Sequence, residues 1–295
     1  MTAKKTTLRS PIRWLGGKGR KVRKILPFFP PHRIYVEPFG GGASLLLAKQ
    51  PSEVEVYNDV DSGLVCLFRV LRDPDKFALF YKKACLTPYS REEYEYCRDT
   101  WEDCDDDVER AHRFFVIARQ SFGGKAYSGW GRAITESQRG MAAVVSRWLT
   151  ALQQLPAIHE RFMRVQIEHS DFRKILVDYD TPETLFYCDP PYVPETRKGG
   201  KYRYEMTLDD HRELVEILLS SSGMVVLSGY QHNVYGPLDD AGWRRVDFQT
   251  SADVAGRVRG STLQGLGAAT KNAPRVESIW ISPAAQQRLE EREAQ

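Results

Sequence analysis

The chain predicts an α/β fold on a mixed, mostly parallel sheet, interrupted by a mainly helical insertion. Three observations predict it. RIYVEPFGGGAS, LLLAKQ and EVEVYND read as strand, Gly-rich turn, helix and second strand, the start of a β-α-β unit. From residue 64 to about 160 helical patterns dominate. Beyond that, strand and helix patterns alternate again through RVQIEHSDF, LFYCDPPY, HRELVEILLS and MVVLS. With 295 residues and 42% hydrophobic content, the chain can bury the core of one large domain or two smaller ones. We divide it into one α/β unit from residues 1–63 and 161–295, and an insertion from 64–160.

The elements follow in order. Residues 1–10 are polar and expected to fray. PIRWLGGKGR (11–20) is a Gly-rich basic loop, and KVRKILPFF fits a short helix stopped near Pro27. Ile34–Glu37 is a short strand broken by Pro38 and three glycines. Ser44 and LLLAKQ form the next helix, and Glu53–Asp59 the second strand. LVCLFRVL, FALFYKKA, REEYEYCR, VERAHRFFVIARQSF and MAAVVSRWLTALQQL are the helices of the insertion, with a flexible loop, GGKAYSGWGR, before the last. Strands at Leu185–Cys188 and Met224–Ser228 flank the helix HRELVEILLS. WRRVDF and VESIWIS read as late antiparallel strands, and Gly256–Lys271 as a mobile, basic surface loop.

Composition narrows the class. The formal net charge is +3, from 42 basic and 39 acidic residues, which only weakly favours a polyanionic partner. Charge position says more: the first 24 residues hold nine Lys or Arg and no acid, and residues 92–109 form an acidic cluster. The five cysteines (Cys66, Cys85, Cys97, Cys104, Cys188) have no tight metal spacing, and their odd number argues against a full disulfide framework. No apolar signal core follows the basic N-terminus, and the longest apolar runs are too short to cross a bilayer. A soluble, cytoplasmic protein with no metal is expected.

Parallel sheets bind ligands beyond the carboxyl ends of their strands. Three strands here end in an acid, Glu37, Asp59 and Asp189, and Asp171 ends a fourth. Any one of them also suits a turn or a helix cap. The glycines of VEPFGGGAS let backbone pass close to a ligand, yet the pattern is neither GxGxxG nor GxxxxGK[ST]. Glu37 repels a pyrophosphate and favours a cationic group, and Asp59 is placed for two ribose hydroxyls. Each proline of DPPY holds the residue before it extended. The Asp189 carboxylate and Pro190 carbonyl then offer two acceptors to the two donors of an exocyclic amine. Tyr192 is placed to stack on the ring bearing it.

These residues resemble the Dam-type, D12-class adenine-N6 DNA methyltransferase family. RWLGGKG matches the N-terminal loop at Trp14 and Lys18, VEPFGGGAS the Gly-rich turn at Val36–Ser44, YNDVD the ribose acid at Asp59, HSDF the adenine-pocket pair Asp171 and Phe172, and CDPPY the catalytic motif. The resemblance spans most of residues 11–281. It implies a Rossmann-like S-adenosylmethionine-dependent methyltransferase fold with an inserted DNA-recognition domain. It places the cofactor on Trp14, Lys18, Glu37, Pro38, Phe39, Gly40, Asp59, Asp171, Phe172 and Asp189, and catalysis on Asp189, Pro190, Pro191 and Tyr192. It also implies double-stranded DNA as partner, admits a cognate restriction nuclease, and suits a monomer or weak dimer. Where the family carries an RxNxxGxFNxPxG-like hairpin, this chain reads GWGRAITESQRG, so the resemblance does not extend to recognition of GATC.

The chemistry implied is methyl transfer to a flipped-out adenine. Phosphate contacts are expected from Arg9, Arg13, Arg20, Lys21 and Arg23, from Arg119, Lys125, Arg132 and Arg139, and from Arg257, Arg259 and Lys271. Lys125, Ser128 or Arg132 are candidates for base reading, and Tyr127 or Trp130 for a wedge or a buried anchor. Two other readings stand beside this one: a DNA-binding module of the same fold without activity, and a methyltransferase for amines of RNA or protein.

Overall fold

In a computed structural model, residues 7–124, 127–197, 202–251 and 274–294 are described. Lys125, Arg257, Arg259 and Lys271, and the expected mobile loop, lie outside them. In chain order α1 (Val22–Ile25) leads to β1 (Ile34–Glu37), α2 (Ser44–Ala48) and β2 (Val54–Asn58). Helices α3 (Ser62–Arg72), α4 (Pro74–Leu86), α5 (Arg91–Thr100) and α6 (Asp107–Gln120) follow, then strands β3 (Ser137–Gln138) and β4 (Met141–Ala142) and helix α7 (Ala143–Phe162). The sheet resumes with β5 (Gln166–Glu168), α8 (Phe172–Asp178), β6 (Thr184–Cys188), α9 (Leu208–Ser220) and β7 (Met224–Tyr230). It ends with α10 (Gly236–Asp240), β8 (Arg244–Ser251), β9 (Pro274–Ile281) and α11 (Pro283–Glu293).

Seven strands form one sheet in the order β5-β2-β1-β6-β7-β9-β8. The first five run parallel, and β9 and β8 are antiparallel, as expected for the two late strands. Every residue of β6 is buried, which its continuous apolar run, LFYC, requires of a central parallel strand. Side chains alternate between the two faces. Tyr35, Leu185 and Tyr187 join the core shared with α2, α3, α6 and α7, and Val36, Phe186 and Cys188 join the core under α8 and α9.

The long stretch between β2 and β5 is helical, and acids fix its helix starts. Asp61, Asp73 and Asp106 accept backbone N–H groups at the N-termini of α3, α4 and α6. Inside it, β3 and β4 form a hairpin that the sequence did not suggest, within the stretch GWGRAITESQRG and the residues just after it. Its two-residue turn places Arg139 at φ 55° and Gly140 at φ 71°. That is the left-handed pair a tight hairpin needs, with Arg where Asn or Asp is usual. Helix α7 also runs through Pro156, beyond the pattern MAAVVSRWLTALQQL, which ends at Leu155.

Candidate active site

The sheet brings the four acids to one rim. β5, β2, β1 and β6 lie side by side and parallel, so the residues after or at their ends, Asp171, Asp59, Glu37 and Asp189, emerge on the same edge. All four line one cavity of about 500 Å3, together with Trp14, Lys18, Pro38, Phe39, Gly40, Phe172 and Pro191. Phe39 and Phe172 pack against each other with ring centroids 5.2 Å apart and form an apolar stretch of its wall.

The Gly-rich turn is packed as tightly as its composition suggests. The Gly40 amide donates to the Asn58 carbonyl at 2.7 Å, and a Cβ on Gly40 would lie 2.2 Å from the Tyr57 ring. Gly41, at φ 49°, donates its amide to Asp59 Oδ2 at 2.8 Å. The other Asp59 oxygen accepts the Asp61 amide at 2.8 Å. Two amides therefore fix the Asp59 carboxylate, while burial raises it to about 7. Glu37, 2% exposed, accepts from the Tyr35 hydroxyl at 2.7 Å and the Leu46 amide at 2.9 Å. Burial outweighs these bonds and raises Glu37 to about 7 as well. Asp61 also lines the cavity, and its buried Oδ2 has no hydrogen-bond partner. Asp171 contributes to the fold directly. It caps α8 through the Arg173 amide and pairs with the Arg173 guanidinium at 3.1 Å.

At the DPPY end the geometry differs from the open acceptor pair expected. Lys18 Nζ donates to both Asp189 oxygens, at 2.5 and 2.6 Å, and sits 4.9 Å from the centroid of the Tyr192 ring. A lysine ammonium thus stands where an amine held by Asp189 and stacked on Tyr192 would stand. Burial opposes the Lys18 charge, but the Asp189 carboxylate outweighs it and raises the lysine. Tyr192 is 6% exposed, and its hydroxyl donates to Glu277 at 2.8 Å.

The residues expected at DNA are placed unevenly. Arg9, Arg13, Arg20, Arg23 and Arg132 are exposed. Lys21 pairs with the buried Glu277. Arg119 donates to the Arg147 carbonyl at 2.7 Å, and burial lowers it to about 10. Arg139 is tied back to α7 through Ser146 and Thr150. Ser128 is exposed and donates to the Phe122 carbonyl at 2.7 Å. Trp130 is half-buried against Tyr89 and donates to Gln120 at 3.4 Å, the geometry of an anchor. Tyr127 takes a bond from Arg203 at 3.2 Å. Sequence reasoning missed Asp61, Arg173, Tyr202, Arg203 and Glu277. Only the aromatic, basic run YRYEM hinted at Tyr202 and Arg203.

A mostly parallel sheet of this topology with a helical insertion, and with four acids and a Gly-rich turn around one cavity at its rim, defines the class as a mixed α/β protein. The chain belongs to the D12 class N6 adenine-specific DNA methyltransferase family, whose model matches residues 14–235. It is 25% identical to the DNA N-6-adenine-methyltransferase of Escherichia phage P1 over 232 residues, which cover 73% of this chain and 30% of that protein. It is 26% identical over 250 residues to the Type II methyltransferase M.MjaIII of Methanocaldococcus jannaschii, covering 76% of this chain and 84% of that one. It is 26% identical over 285 residues to the Type II methyltransferase M1.LlaDCHI of Lactococcus lactis subsp. cremoris, covering 90% and 95%. Among the described residues no helix is long and apolar enough to cross a membrane.

Proposed function

We propose that this protein is a site-specific DNA methyltransferase that moves a methyl group from S-adenosylmethionine to N6 of an adenine flipped out of duplex DNA. The observation that carries the reading is the convergence of Glu37, Asp59, Asp171 and Asp189 on one cavity, with Asp189 opening DPPY, in a chain of the adenine-specific family. The sheet and its cavity serve as a Rossmann-like methyltransferase core formed by residues 1–63 and 161–295, and residues 64–160 serve as the target-recognition part.

The residues suit that cofactor. Its sulfonium supplies an already activated methyl group. Glu37, held near neutrality by burial, gains a favourable charge beside a cationic ligand. Asp59, fixed by two amides, accepts ribose hydroxyls, and the packed rings of Phe39 and Phe172 offer an apolar wall to the adenine ring. Trp14 and Lys18 close the N-terminal side.

Adenine N6 is a weak nucleophile, so what the protein must supply is alignment. Asp189 and the Pro190 carbonyl hold the amine, and the carboxylate offsets the positive charge that grows there during transfer. Lys18 must release Asp189 before this contact can form. Exposed arginines at the N-terminus and Arg132 supply phosphate contacts that offset the cost of flipping, about a few kcal/mol.

The test is transfer of label from S-adenosylmethionine to separate pools of duplex DNA, RNA and protein. Label in DNA is expected. Label in RNA or protein with none in DNA overturns the substrate assignment, and label in no pool overturns the activity.

A further inference from the structure

Glu277 lies on β9, outside the stretch matched by the family, yet three of its contacts reach the DPPY end of the cavity. Its Oε1 accepts the Tyr192 hydroxyl at 2.8 Å and lies 3.7 Å from Lys18 Nζ. Its Oε2 pairs with Lys21. The side chain is 4% exposed, so this is a carboxylate held inside the protein and not a surface charge. Its place is fixed by the sheet: β7 and β9 pair antiparallel with Tyr230 opposite Glu277, and Tyr230 meets the Tyr192 ring edge-on, with centroids 4.8 Å apart.

We infer that Glu277 is a positioning residue for methyl transfer, holding Tyr192 by its hydroxyl and receiving the Lys18 ammonium when Asp189 takes the substrate amine. The inference rests on the reading of this cavity as a methyltransferase site. Lys18 occupies Asp189, and an incoming amine competes for the same oxygens. Released from Asp189, the buried ammonium would keep only the neutral Gly16 carbonyl at 3.0 Å, and a buried cation without a carboxylate is costly. Glu277, already 3.7 Å from the Lys18 ammonium, supplies that partner within a short swing. No proton changes hands; the ammonium trades one carboxylate for another. Meanwhile the bond to the Tyr192 hydroxyl fixes the plane of a ring that is to stack on the base. Such supporting contacts set how well a reacting pair is aligned.

Glu277→Gln keeps the volume but removes the charge, which takes away the second site for the Lys18 ammonium and weakens the bond from the Tyr192 hydroxyl, since a neutral amide oxygen is the poorer acceptor. We expect a folded protein with a lowered melting temperature, because Lys21 loses its partner, a cofactor Kd within about threefold of the unaltered protein, and turnover lower by roughly 10²-fold, the loss that a misplacement by about 1 Å can cause. Tyr192→Phe, which leaves both lysine contacts of Glu277 in place, should lose roughly tenfold, and the double variant should be no slower than Glu277→Gln alone. With 2-aminopurine at the target adenine, both single variants should give brighter emission than the unaltered protein, because the flipped base stacks less well. A wild-type rate for either single variant, or losses that multiply in the double variant, overturns the inference. Should Glu277→Gln fail to fold, Tyr192→Phe alone decides: a wild-type rate with unchanged emission overturns it. Lack of transfer to DNA by the unaltered protein would overturn the functional reading and this inference with it. Transfer that Glu277→Gln matches would overturn this inference alone.

Discussion

Lys18 and Asp189, 171 residues apart in sequence, form an ion pair in which one ammonium engages both carboxylate oxygens at 2.5 and 2.6 Å. The lysine side chain is 4% exposed and the aspartate 17%. Removing one partner of such a pair leaves a buried charge without compensation, a loss of about 3–5 kcal/mol. Because Asp189 faces the cavity, Lys18→Ala should fall at about the lower end of that range. Lys18→Ala combined with Asp189→Asn removes both charges and should recover most of the loss. Urea unfolding of Lys18→Ala and of the double variant checks this; equal losses in the two would contradict it.

Gly40 tests the turn. A Cβ there would lie 2.2 and 2.5 Å from Tyr57 ring carbons and 2.9 Å from the Asn58 carbonyl oxygen. Tyr57 cannot retreat, because it is fully buried and its ring centroid is 4.7 Å from that of Phe68. Gly40→Ala should therefore cost about 1–3 kcal/mol by overpacking and weaken cofactor binding through displacement of the turn. Calorimetric melting and titration with S-adenosylmethionine measure both, and a variant that matches the unaltered protein in each would show the turn to be more yielding than its contacts imply.

Glu37 gives the cavity a pH dependence. Burial raises its carboxyl from the usual range to about 7. A group raised in the folded state contributes stability that is fully present below its unfolded value, near 4.5, and is lost as pH rises through about 7. The ligand-free protein should lose that contribution over this window. A cationic ligand beside Glu37 favours the carboxylate, so its affinity should rise roughly tenfold between about pH 6 and pH 8. S-adenosylhomocysteine, whose sulfur is neutral, should show a smaller rise. Glu37→Gln should remove the difference between the two ligands and leave only the pH dependence that Asp59, also near 7, gives to both, which titration calorimetry at the two pH values would reveal.

Much of the fold was legible in the chain because strand signals and chemistry coincide. Ile34–Glu37 and Leu185–Cys188 are short apolar runs cut by proline, so both the strands and their terminal acids could be read. The β3–β4 hairpin was not legible. Its strands are two residues each, β3 is polar and exposed, and Arg139 stands in a left-handed conformation that its side chain does not advertise. The helical pattern read in the chain ends at Leu155, yet packing on both sides of Pro156 carries α7 on to Phe162. The Lys18–Asp189 pair and the Tyr192–Glu277 bond join residues 171 and 85 positions apart. Only the order of strands in the sheet brings such residues together, and local pattern does not encode that order.

The most direct measurement of the central claim is mass spectrometry of nucleosides from duplex DNA incubated with S-adenosylmethionine and either the unaltered protein or Asp189→Ala. N6-methyladenine is expected from the unaltered protein and at least about 100-fold less from the variant, with cofactor binding retained. N6-methyladenine formed by Asp189→Ala at the unaltered rate, or no N6-methyladenine from the unaltered protein, would contradict it.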